Sequence, residues 1–81
     1  MPDEPELRGK AREALLSGRI PRQPPAVTYG GPSQGALCQV CEQPIPKGQM
    51  EIELVFGPVD NQVIFHLHVR CLAAWELERT K

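Results

Sequence analysis

Cys38 and Cys41 form a C-x2-C pair, and His68 and Cys71 form an H-x2-C pair separated from the first by 26 residues. Two residues spaced by two others can face one ion from a tight turn, and a second pair can do so from the first turn of a helix. Three thiolates and one imidazole complete a tetrahedral shell for Zn2+, with Zn–S of about 2.3 Å and Zn–N of about 2.0–2.1 Å. The set Cys38, Cys41, His68 and Cys71 is therefore expected to hold one structural zinc, leaving no position for water or substrate. His66 competes for the fourth place from two residues back, but His68 has the spacing to Cys71 that a helical turn requires. His66 is expected as a hydrogen-bond partner behind the ligands or as an ordinary strand residue. Three thiolates would leave the site with an excess negative charge, for which Lys47 and Arg70 are the nearby cations.

The chain around these residues reads as elements able to present them. Pro44 and Pro46 follow the first pair, which makes that segment a turn and argues against a redox dithiol at a helix start. Met50, Ile52, Leu54 and Phe56 alternate with Glu51, Glu53 and Val55, the period of a strand with one buried face. Residues 57–62 supply a turn, and Val63 to His68 is the returning strand of a β-hairpin. From Val69 onward the composition favours a helix, with Val69, Leu72, Ala73 and Leu77 expected on its inner face and Trp75 in the core or at its edge.

Ahead of this module, residues 3–18 predict a helix capped by Asp3, with Pro5 in its first turn, Leu7, Ala11, Ala14 and Leu15 on one face, and Gly18 as its stop. Residues 21–36 hold four prolines and three glycines and read as a linker. The expected division is a charged helix in 1–20, a Pro/Gly-rich linker in 21–36 and a zinc-binding module in 37–81.

Composition narrows the function classes. The 81 residues contain nine prolines, seven glycines and only four aromatic residues, too little core material for a domain of this size to stand without a staple. A structural zinc supplies roughly 10–16 kcal/mol of apparent folding free energy in finger peptides, comparable with a typical domain's stability of about 5–15 kcal/mol. No apolar run approaches the length of a membrane span, and the charged first 20 residues lack the apolar block of a secretory signal, so a cytoplasmic protein without membrane attachment is expected. Three cysteines, an odd number, suit metal ligation better than a disulfide framework.

Knuckle, hairpin and helix with ligands C-x2-C and H-x2-C resemble a treble-clef zinc finger, and the ligand pattern is similar to the first zinc module of LIM domains. The resemblance implies that Cys38 and Cys41 sit in the knuckle and that His68 and Cys71 sit at the helix start. No cysteine follows Cys71 to build the second LIM module, and the 26-residue spacer is longer than is usual there. Segments including AREALLSGRIPR, CQVCEQPI, FHLHVRC and AAWELERTK are also similar to a group of short uncharacterised bacterial zinc-finger-like proteins, a likeness that implies no particular activity. The fold expected is a small α+β zinc-stabilised domain, treble-clef-like, preceded by a helix and a linker.

A closed zinc module points to a protein-interaction or regulatory adaptor rather than an enzyme, with a protein partner and no small-molecule substrate. Glu51 and Glu53 on the outer hairpin face and Glu76 and Glu78 on the helix favour that reading, as does a net charge of −1. The alternative is nucleic-acid binding through the amino-terminal arm. There Arg8, Lys10, Arg12, Arg19 and Arg22 stand against Glu13 alone.

Overall fold

Alternation along Met50–Phe56 produces the central strand of the molecule. The computed structural model describes residues 3–81, in the order α1 (Glu4–Leu16), β1 (Val27–Pro32), β2 (Met50–Phe56), β3 (Val63–His68) and α2 (Val69–Arg79). The three strands form one antiparallel sheet in the order β1-β2-β3. This is a small α+β architecture, and β2 and β3 lie where the period-2 pattern puts them. At the turn between them Gly57 has φ 93°, and a Cβ there would stand 2.5 Å from the Asn61 carbonyl oxygen, so only glycine fits.

The linker reading of 21–36 is corrected by β1. This segment pairs with β2 from Val27 opposite Val55 to Pro32 opposite Met50. Ser33 donates its backbone N–H to the Gln49 carbonyl at 2.8 Å, which places Ser33 at a hydrogen-bonded position of the ladder. Pro32 therefore occupies the alternate position, where its missing N–H faces the free edge and costs the sheet nothing. The same prolines that argue against a central strand are compatible with an edge.

Asp3 caps α1 by accepting a hydrogen bond from the Glu6 N–H, and Gly18, at φ 78°, turns the chain after the helix. Leu7, Ala11 and Ala14 are buried as their spacing predicts. Their partner is α2, and the two helices contribute to one core with Ile20, Val40, Ile45, Leu54, Phe56, Leu67 and Trp75. Trp75 is fully enclosed, edge-on to Phe56 at 6.5 Å between ring centroids, and its indole N–H donates to the Pro21 carbonyl at 3.1 Å. It is a core residue. Its polar atom is satisfied by the very segment read as a linker.

The inner face of α2 also differs from the expectation. Cys71, Ala74, Trp75 and Glu78 are buried, whereas Val69 and Leu77 are about half exposed and Ala73 faces outward. The cause is Cys71. Turning its thiol toward the side chains of Cys38, Cys41 and His68 fixes the rotation of the helix, and residues three, four and seven positions on follow it inward.

Candidate metal centre

Cys38, Cys41, His68 and Cys71 are all buried, and one ligand atom from each lies within 4.8 Å of every other. The first pair sits in a turn closed by two backbone bonds, Cys38 N–H to the Gln43 carbonyl at 3.0 Å and Glu42 N–H to the Cys38 carbonyl at 2.9 Å. Glu42 takes the left-handed conformation at φ 63° to complete it. The second pair is positioned where β3 becomes α2. His68 keeps extended backbone as the cap of the helix, and Cys71 falls in its first turn. The two halves are joined by a hydrogen bond from the Gln39 N–H to the His66 carbonyl at 2.9 Å.

His68 turns its Nδ1 toward the thiols, 3.4 Å from Cys41 Sγ and 3.8 Å from Cys71 Sγ. A tetrahedral ion with the bond lengths of zinc separates sulfur from nitrogen by about 3.6 Å and sulfur from sulfur by about 3.8 Å. The donor set thus fits a single metal ion in both chemistry and spacing. Without a cation the three thiols divide unequally. The hydrogen bond from Cys71 lowers Cys38 to about 4, against the burial that opposes ionisation. That same bond, together with burial, pushes Cys71 up, and burial raises Cys41. Three thiolates cannot coexist in this pocket unless a positive charge joins them.

His66 is not part of the ligand cluster. Its Nδ1 pairs with the Glu51 carboxylate, which is almost fully buried, and only its backbone carbonyl reaches the knuckle. Glu51 is therefore withdrawn from the acidic surface expected of the hairpin. Glu78 is withdrawn too, since it lies 4% exposed beneath α1 with its carboxylate 2.9 Å from Arg8 Nε, 3.2 Å from Arg12 Nε and 3.2 Å from Lys81 Nζ. Burial opposes the charge on Glu78, but hydrogen bonds from Arg8, Lys81 and Arg12 outweigh it and hold the carboxyl at about 2.

The basic residues of the arm are distributed rather than gathered. Arg8 and Arg12 turn to Glu78, and Arg22 donates to the Arg79 carbonyl at 3.2 Å, at the carboxyl end of α2. Arg19 reaches the knuckle, where Nε donates to the Gln39 carbonyl at 3.0 Å and Nη2 to the Val40 carbonyl at 3.1 Å. This guanidinium, rather than Lys47 or Arg70, is the cation that the structure places against the residues between Cys38 and Cys41. Lys10 alone among the five has neither an ion pair nor a side-chain hydrogen bond among the described residues, since Arg22, which has no ion pair either, donates to backbone carbonyls. Spacing carries no sign of the Arg19 contact, because it joins a helix stop to carbonyls that every sequence possesses.

Comparison of the chain with protein-family models, with curated proteins and with solved structures found no match in any of the three. Among the described residues no helix is long and apolar enough to cross a membrane.

Proposed function

We propose that the protein is a zinc-stabilised interaction module, a treble-clef-like knuckle, hairpin and helix related in ligand pattern to a LIM zinc module, acting without catalysis as an adaptor for a protein partner. The observation that carries this reading is the closed, buried Cys3His cluster. With four protein ligands around one ion, no coordination position is left for a substrate, so the metal serves the fold. Zinc fits best because the donors are three thiols and an imidazole at tetrahedral separations.

The surface supports a protein partner. Val27, Tyr29 and Ile64 are 40%, 56% and 48% exposed, and they flank Val55 on the sheet face turned away from the helices. Exposed apolar groups gathered on one face mark a contact surface better than scattered ones do. Capture of partners from a cell extract should lose specific proteins when Tyr29→Ser and Ile64→Ser are combined in the zinc-loaded protein. An unchanged set of captured proteins would refute this face as the contact surface. The alternative, nucleic-acid contact through Arg8, Lys10, Arg12, Arg19 and Arg22, has less support because four of the five side chains are engaged inside the chain.

A further inference from the structure

β1 and β3 are the two edges of the sheet, and they are finished differently. The outer edge of β3 is met by the knuckle, where the Gln39 N–H donates to the His66 carbonyl at 2.9 Å. Among the described residues no backbone hydrogen bond from outside the sheet reaches Val27–Pro32. Ser33 occupies a hydrogen-bonded position opposite Gln49, and such positions alternate, so Val27, Tyr29 and Gly31 bond to β2. Thr28 and Gly30 therefore turn their N–H and C=O groups outward. Both are exposed, and at Gly30 the exposed surface is main chain. A row of open donors and acceptors is a template for another strand, and natural edges often block it with a charge. β1, with the sequence VTYGGP, carries no charge.

We infer that this edge pairs with β1 of a second copy of the chain, antiparallel about a two-fold axis at Tyr29, so that two three-stranded sheets join into one of six strands. Reversal about Tyr29 sets Thr28 opposite Gly30 of the other copy. The outward N–H and C=O groups of these residues then match one another and form four backbone hydrogen bonds. The same reversal sets Pro32 opposite Ala26 of the other copy. Proline has no N–H, and the Ala26 N–H is already turned inward to the Val55 carbonyl at 2.8 Å, so the ladder ends there with no donor stranded on either side. Charge selects a second copy as well. Self-pairing doubles every charge on a strand, and β1 lacks the carboxylates of β2 and the histidines of β3. On the face turned away from the helices, Tyr29 meets its counterpart at a non-hydrogen-bonded position, where cross-strand side chains lie closest. Val27 faces Gly31 of the other copy, whose surroundings are open. The inference needs the sheet alone and does not depend on which ion the cluster takes.

Four backbone bonds and one aromatic pair make a contact of the small, transient class, below about 1,200 Å². The test is therefore sedimentation equilibrium of the full chain up to about 1 mM, the weak end of measurable affinity. A monomer–dimer equilibrium is expected. Thr28→Pro removes one outward donor from each copy and leaves the bonds to β2 intact, because residue 28 faces the free edge. It should keep the wild-type circular dichroism and weaken the dimer by roughly 10- to 100-fold, the effect of two lost hydrogen bonds. Wild-type protein supplies a second reading that needs no variant. In a mixture of isotope-labelled and unlabelled chains, nuclear Overhauser contacts should join Tyr29 to Tyr29 and Val27 to Gly31 between copies. The Thr28 and Gly30 amides should gain protection from hydrogen exchange as concentration rises. A chain that stays monomeric throughout would overturn the proposal, as would a dimer of unchanged affinity in folded Thr28→Pro or intermolecular contacts that join other surfaces. Protection of Thr28 and Gly30 that arises with a foreign protein and not with concentration would overturn it too, by giving the edge to a different strand.

Discussion

Replacing Arg19 with alanine decides between two roles for the same side chain. In a nucleic-acid arm Arg19 would be a solvated charge whose loss leaves stability within about 0.5 kcal/mol. In the structure its guanidinium donates to the carbonyls of Gln39 and Val40, and its side chain is only 26% exposed. Hydrogen bonds from a charged donor contribute about 1.5–3 kcal/mol each in favourable settings. Partial exposure and water's ability to replace the donor reduce the sum for both bonds to about 2 kcal/mol. For a domain of this size that corresponds to a fall in Tm of about 8–16 °C. The assay is thermal and urea unfolding of the zinc-loaded protein, with Arg19→Lys as the second variant. Lysine keeps the charge but cannot reach both carbonyls in a fixed fork, so it should recover only part of the loss. Wild-type stability in Arg19→Ala would refute the reasoning and return Arg19 to the surface.

Further outcomes follow from the same geometry. Trp75→Ala should destabilise the zinc-loaded protein by about 3–5 kcal/mol, because it empties the centre of the core and frees the Pro21 carbonyl; denaturant titration measures this. His66→Ala should retain the wild-type metal stoichiometry, whereas His68→Ala should lose affinity for zinc, as read by competition with a chromophoric chelator. Glu78 has its folded pKa depressed from 4.5 to about 2, so the stability it contributes is fully present above about 4.5 and is lost as pH falls toward 2. The stability difference between wild type and Glu78→Gln should therefore stay constant from pH 7 to 5 and shrink below 4.5. A difference that already declines between pH 7 and 5 would contradict the assignment.

The Cys3His cluster was legible because its information is local. C-x2-C and H-x2-C each fit one turn of chain, and the strand–helix junction between His68 and Cys71 follows from a change of period at Val69. The hairpin was equally clear, since Met50–Phe56 and Val63–His68 show alternation bounded by turn residues. β1 was hidden because an edge strand needs hydrogen bonds on one side only, and Pro32 at a non-bonded position looks in sequence like a strand breaker. The burial of Glu51 and Glu78 was hidden for another reason. A carboxylate enters a core when cations distant in sequence meet it, and Arg8 and Arg12 reach Glu78 from more than sixty residues away. The rotation of α2 was misjudged by ranking hydrophobicity alone. Counting Cys71 as an inward residue turns Ala74, Trp75 and Glu78 inward with it, at the expense of Val69 and Leu77.

The account stands on a metal ion joining the knuckle to the helix. Its most direct test is the zinc content of the purified protein by mass spectrometry under native conditions, followed by circular dichroism as a strong chelator is added. One zinc per chain, with loss of both helix and sheet signal on chelation, is the predicted result, because α1, the sheet and α2 share the core that Cys38, Cys41 and Cys71 enter. A protein that carries no metal and keeps its secondary structure in chelator would contradict it.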